Sequence, residues 1–273
     1  MSEAGPGPYD SSPETGRRFV FAGGCPRSGL TVLRALLAGH SRLACGPDTG
    51  LPPSIAFQWN AFATQLGTLH AAEFDMDGEA VRANMARLLT ELIGEPVRGT
   101  PQHLLVEKTA LNVVAFEPLA KLLPEARFIH VVREGRDVAA SLLERDWRDS
   151  NGHRFAHTVR PDAALKYWSD LTGIGLKAEA ALGPRIIRVR YEDLVTRPKA
   201  ALTSLTRFLG LAWEPAMLHL ASRDMALYGL EEDSREALSG PLSRKHVGRY
   251  KRDERLRHAP PFVGQRLEEL GYG

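Results

Sequence analysis

The run Gly24-Cys25-Pro26-Arg27-Ser28-Gly29-Leu30-Thr31 has the outline of a phosphate-gripping loop, with two glycines five apart and a threonine two beyond the second. Backbone N–H groups in such a turn, together with the N-terminus of the helix that follows, make a concave anion site. In nucleoside triphosphatases a lysine follows the second glycine and reaches the terminal phosphates. Here that position is Leu30, and the cation stands inside the loop as Arg27. A triphosphate site also calls for Mg²⁺, a Ser/Thr ligand and an acidic strand-end residue. The strand that would supply the acid ends in Val132-Arg133, a cation. The loop therefore suits a metal-free site for a less highly charged phosphate ester. A P-loop kinase is the rival, and an ordinary strand–turn–helix with incidental Gly and Arg is the bland reading.

Arg133 closes the most apolar strand of the chain, and Ser141 lies eight residues further on. Ligands bind at strand C-termini in open parallel sheets, and an arginine there offers a fork of donors suited to phosphate oxygens. Ser141 adds a hydroxyl if its helix starts near Gly135, and Arg145 follows at i+4 on the same face. A solvated helix face is the alternative for this stretch.

These residues need elements to hold them. Phe19–Ala22 reads as a strand ending in Gly23-Gly24, and Leu30, Leu33, Leu36 and Leu37 recur at helical spacing after it. Ile55, Trp59, Phe62, Leu66 and Leu69 predict a second helix; Val81, Met85, Leu88, Leu89 and Leu92 predict a third, stopped by Gly94. Both helices read as an insertion between the first and second strands. Leu104–Val106 and Phe128–Val132 read as buried strands, with a helix from Gly135 through Leu142 toward Arg145. A helix marked by Leu165, Trp168 and Leu171, a strand at Ile186, Ile187 and Val189, and a helix opening at Pro198 and ending at Gly210 complete the pattern. Alternating strands and helices imply right-handed βαβ units. The expected fold is α/β: a P-loop-like three-layer arrangement with a mostly parallel central sheet, a helical insertion and a C-terminal basic lid. It forms one domain over 17–273 behind a flexible tail at 1–16. The last thirty or so residues read as a loop-rich cover.

The totals agree with one α/β domain: 273 residues, 43% hydrophobic and 25% charged. A net charge of +2 is too small to imply nucleic acid. Lysines and arginines gather between Arg244 and Arg257, which reads as a basic cover over an anion site, or as solvated surface. Two cysteines, Cys25 and Cys45, and no signal-peptide pattern suggest a reducing, cytoplasmic setting. No apolar run approaches the ~20 residues a bilayer span requires.

Taken together, these motifs resemble sulfotransferases that use 3′-phosphoadenosine-5′-phosphosulfate (PAPS) and release 3′-phosphoadenosine-5′-phosphate (PAP). Cys25 to Thr31 resembles their 5′-phosphosulfate loop, and Arg133 to Ser141 their 3′-phosphate motif. Pro26-Arg27-Ser28-Gly29, Leu33-Arg34-Ala35, His40, Cys45-Gly46-Pro47-Asp48-Thr49, Arg133-Glu134-Gly135-Arg136, Arg190-Tyr191-Glu192-Asp193-Leu194 and Phe208-Leu209-Gly210 look like the tyrosylprotein sulfotransferases and their bacterial relatives. The similarity runs from about Phe19 to Tyr250. It implies that Arg27, Ser28, Gly29, Leu30 and Thr31 hold the 5′ end of the donor. Arg133, Ser141 and Arg145 would hold its 3′-phosphate, with Tyr191 beside the nucleotide, Ser234 as a match to a late phosphate-contacting serine, and Arg249 closing over the site. No metal is implied. Asp48 falls where the tyrosylprotein family places a glutamate base, and Lys108, with Arg27, would stabilise charge on the bridging oxygen.

Three departures from that pattern bear on function. Asp48 is one methylene shorter than glutamate. Cys45 aligns with a cysteine that is disulfide-bonded in the secretory-pathway enzymes, but its partner position is Glu107. Gly50 and Ser54 replace arginines that face an acidic peptide substrate. The expected acceptor is therefore a small-molecule phenol or alcohol, as in bacterial natural-product tailoring, with protein tyrosine as the alternative. Trp59 and Phe62 are candidates to line an aromatic acceptor pocket. His40 and His130 read as structural.

Overall fold

Phe19–Gly23 (β1) is buried at every residue, as expected of a strand covered on both faces. Phe19 and Phe21 face one layer, and Val20 and Ala22 face the other. Its neighbours are Leu104–Glu107 (β3) and Arg127–Val132 (β4), with Leu43–Cys45 (β2) beyond β3 and Ile186–Arg190 (β5) beyond β4. The order is β2-β3-β1-β4-β5 and every pairing is parallel. The C-termini of all five strands therefore open onto one edge, and the order reverses on either side of β1. That edge is where open α/β sheets bind ligands. This computed structural model describes residues 15–97, 99, 103–220 and 240–272. Most of the expected tail, 1–14, lies outside the described residues. Thr15 and Gly16, also assigned to it, are held in place: the Thr15 carbonyl accepts from the Glu125 amide and the Gly16 carbonyl from the Phe19 amide.

Two helical layers cover the sheet. Leu30–Leu37 (α1) packs with Val20, Val106 and Ile129 on one face, joined by Tyr191–Thr196 (α8) and Pro198–Phe208 (α9). Phe21, Phe128 and Val132 face the other layer. That layer holds Leu51–Ala61 (α2), Gly78–Ile93 (α4), Phe116–Leu122 (α5), Gly135–Leu142 (α6) and Pro161–Leu182 (α7). The three-layer α/β expectation holds. No helix among the described residues is long and apolar enough to cross a membrane.

Local patterning misplaced several elements. β2 was not anticipated, because three residues are too few to show alternation; its pairing with Leu104–Val106 makes it a strand. The helical insertion consequently sits between β2 and β3. Its first helix is interrupted by a π-helical turn at Phe62–Leu66 before Gly67–Phe74 (α3), so the apolar stripe slips register and Leu66 and Leu69 are exposed. On α4 the buried face is Ala86, Leu89, Thr90 and Ile93, leaving Leu88 and Leu92 in solvent. The C-terminal stretch is more than a loop-rich cover: Pro261–Glu269 (α10) buries Val263 and Leu267, and Leu270 follows them into the core. Their i, i+4, i+7 spacing was diluted by flanking charges.

The two histidines read as structural are bonded in place. His40 shares a hydrogen bond of 2.8 Å with the Ala212 carbonyl, and His130, fully buried, shares one of 2.6 Å with Glu179. Burial opposes charge on Glu179, but hydrogen bonds from His130 and Arg188 outweigh it and lower its carboxyl pKa.

α6 leaves β4 in a tight turn that brings its first residue against α7. A Cβ added at Gly135 would lie 2.5 Å from the buried Trp168 indole, whose Nε1 donates to the Arg133 carbonyl at 3.1 Å. Gly135→Ala is expected to lower unfolding free energy by about 1–3 kcal/mol, the usual cost of overpacking. Urea denaturation checks this, and an unchanged midpoint would show that the turn yields without strain.

Candidate functional site

The loop after β1 turns sharply. Arg27, with φ 74°, occupies the left-handed region that non-glycine residues rarely adopt, and Gly29 has φ 102°. Gly29 is also required sterically, because a Cβ there would lie 2.3 Å from the Tyr191 ring. The Arg27 Nε donates to the Ser141 hydroxyl at 3.1 Å, linking this loop to α6. Arg133 donates from Nη1 to the Arg27 carbonyl at 3.1 Å and from Nη2 to the His246 carbonyl at 2.6 Å. Its guanidinium lies 4.3 Å from the Tyr191 ring centre. Burial raises the Tyr191 phenol pKa although Arg133 pulls the other way.

Asp48, in the loop after β2, forms an ion pair with Lys108, the residue just past β3. Lys108 is buried, while the Asp48 side chain is 37% exposed. Lys108 is therefore no surface lysine.

A cavity of about 600 Å³ at the strand C-termini joins these groups. Its walls include Arg27, Gly29, Leu30, Thr31, Asp48, Lys108, Arg133, Ser141, Arg145, Tyr191 and Arg249. Ser28 lies behind the wall, and Ser234 falls outside the described residues. Among the described residues, the buried Ser28 hydroxyl and Arg133 Nε have no hydrogen-bond partner. Buried donors left open beside a cationic cavity fit an anionic ligand such as the phosphate groups of PAP.

One part of the lining was missed from sequence. It carries Trp147, Phe155, His157 and Tyr167. The His157 and Tyr167 rings stack at 4.1 Å and 7°, Phe155 stacks on His157 at 5.3 Å, and Trp147 meets His157 edge-on at 6.3 Å. Burial lowers the His157 pKa, favouring the neutral imidazole, and raises the Tyr167 phenol. Trp147, Phe155 and His157 sit in a polar connection with no period to reveal them, and Tyr167 hid beside Trp168 on α7. Trp59 and Phe62 do not line this cavity: Trp59 is buried in the core and stacks on Phe62, which stacks in turn on His70.

The basic segment between Arg244 and Arg257 lies against α6. Fully buried Asp137 accepts from the Gly248 and Tyr250 amides at 2.7 and 3.0 Å, and Arg136 stacks on the Tyr250 ring at 4.1 Å. Arg249 pairs with Glu144, which also meets Arg145 at 3.3 Å. Burial lowers the His246 pKa, and the nearby Arg249, Arg133 and Lys245 add to the shift while Glu144 opposes it.

The sulfotransferase family profile matches residues 20–215. The chain is 30% identical over 208 residues to protein-tyrosine sulfotransferase 1 of Danio rerio, covering 74% of this chain and 55% of that one. It spans about half the length of the curated relatives it matches. Among solved structures, the sulfotransferase domain from the curacin biosynthetic pathway superposes with TM-score 0.68 at 22% identity, covering 93% of this chain and 97% of that one. Mouse sulfotransferase SULT7A1 complexed with PAP gives 0.50 at 16%, covering 95% and 86%. These two likenesses establish the fold. The profile match, spanning most of the described chain and both phosphate motifs, shows that this protein belongs to the sulfotransferase family.

Proposed function

We propose that the protein transfers a sulfuryl group from PAPS to the hydroxyl of a small phenol or alcohol. The observation that carries this reading is the single cavity in which Arg27, Asp48, Lys108, Arg133 and Ser141 meet, drawn from the ends of β1, β2, β3 and β4 and from α6. When bound, the donor supplies an activated sulfuryl group on a phosphate leaving group. Arg133, Ser141 and Arg145 bind the 3′-phosphate. Arg27 and the Ser28–Thr31 turn bind the 5′ end, with the Ser28 hydroxyl free to donate. Tyr191 packs beside the nucleotide, and Arg249 covers it. Lys108 and Arg27 hold positive charge where the bridging oxygen gains negative charge, which is where electrostatic stabilisation counts most. Asp48 accepts the acceptor's proton from the same wall.

The aromatic wall supports a planar acceptor. Phe155, His157 and Tyr167, with Trp147 beside them, line the cavity with ring carbon suited to an aryl acceptor, and burial disfavours the charged form of His157. The second reading, transfer to tyrosine in a protein, is favoured by the names of the curated relatives. Gly50 and Ser54 bring no charge to attract an acidic peptide, and Ser54 spends its hydroxyl on the Gly50 carbonyl at 3.1 Å. A panel of phenols, alcohols and acidic tyrosine peptides separates the two readings. Faster turnover of the peptides than of any phenol would reverse the assignment.

Asp48→Ala is expected to lower kcat by roughly 10²- to 10⁴-fold while PAP affinity holds, since a general base contributes on that scale. Normal turnover would remove Asp48 from the mechanism. Arg133→Ala should weaken PAP binding by about 1.5–3 kcal/mol, the scale of a charge-assisted hydrogen bond. Titration calorimetry measures this, and unchanged affinity would contradict the 3′-phosphate assignment.

A further inference from the structure

Asp48 and Lys108 belong to separate segments, so their meeting depends on what fixes the backbone around each. The backbone around them is held by a different group. Glu107, the last residue of β3, is 2% exposed and points away from the cavity that its neighbour Lys108 lines, as strand alternation requires. Its Oε1 accepts from the Thr49 hydroxyl at 3.0 Å, the Thr49 amide at 3.3 Å and the Thr109 hydroxyl at 2.6 Å. Its Oε2 accepts from the Thr109 amide at 3.1 Å and from Asn112 Nδ2 at 2.6 Å. The Thr109 hydroxyl in turn accepts from the Thr49 and Gly50 amides at 3.2 and 3.0 Å. The residues that follow Asp48 and those on both sides of Lys108 thus converge on one carboxyl group. Asn112 carries the network to β1 through the Ala22 carbonyl at 3.1 Å.

We propose that Glu107 is a positioning residue for the transfer reaction: it clamps the Asp48 loop to the end of β3 so that base and cation meet the reacting oxygens together. The proposal rests on the reading of Asp48 as the base. Five donors aimed at one buried side chain require a group that only accepts, and a carboxylate provides two such oxygens. An amide of the same shape turns an NH₂ toward the Thr109 and Asn112 donors and breaks part of the set. The loop would then shift while the fold survives. Misplacement of a reacting group by about 1 Å costs on the order of 10²-fold in rate.

The test is a double-mutant cycle with Glu107→Gln and Asp48→Asn, using PAPS and 4-nitrophenol for kcat and KM, calorimetry for PAP affinity, and thermal melting for the fold. Glu107→Gln alone is expected to lower kcat roughly 10- to 100-fold, with PAP Kd within about twofold of wild type. In the Asp48→Asn background the same change should lower kcat by less than about twofold, because the group it positions is gone. Thr49→Val, which removes one donor and leaves the carboxyl bonded to Thr109 and Asn112, should lower kcat a few-fold with the same dependence on background. Equal losses in both backgrounds, or PAP affinity and melting temperature falling in step with kcat, would overturn the clamp while leaving Asp48 as base. Unchanged kcat in Thr49→Val would also overturn it, even if Glu107→Gln fails to fold. Wild-type turnover in Asp48→Asn alone is a separate result that removes the base assignment and the clamp with it.

Discussion

A buried guanidinium is costly unless its donors are met, and Arg133 meets both terminal nitrogens with carbonyls from distant parts of the chain while its Nε stays open. Its fork reaches the Arg27 carbonyl in the first loop and the His246 carbonyl in the basic segment, while its face lies on Tyr191 at the start of α8. Asp137, 3.9 Å away and fully buried, adds a counter-charge and holds the basic segment through two backbone amides. The first loop, the start of α8 and the basic segment therefore share one anchor. Its position at the end of β4 sets where they meet.

The parallel sheet is the reason one anchor suffices. With every strand running the same way, the residues after β1, β2, β3, β4 and β5 emerge on one edge. The change of order around β1 opens a crevice there, and cationic, acidic and aromatic walls close around it. Tight contacts at glycines keep the walls close: Gly29 lies under Tyr191, and Gly135 lies on Trp168.

Cys45 aligns with a cysteine that is disulfide-bonded in the secretory-pathway enzymes that the sequence resembles, and Glu107 stands at the position of its partner. No disulfide forms among the described residues; Glu107 instead gathers five hydrogen bonds around the same loop. A carboxyl network holds the loop without oxidation chemistry, though it depends on every donor keeping its place.

The residues proposed to grip phosphate were legible in the sequence because their signal is local. Gly24 to Thr31 carries its turn in its own glycines, Arg133 ends an unmistakably apolar strand, and the motif order ties Asp48 and Lys108 to them. β1, β3, β4 and β5 and most of the helices followed from periodicity for the same reason. What the sequence could not carry depended on partners far along the chain. β2 is a strand only because Leu104–Val106 lies beside it, and α10 earns its helix by burying Val263 and Leu267 in a core formed elsewhere. The Trp147, Phe155, His157 and Tyr167 wall and the Glu107 hub arise where segments converge in space. Short-range pattern determined which groups could do chemistry, and long-range packing decided which of them face one another.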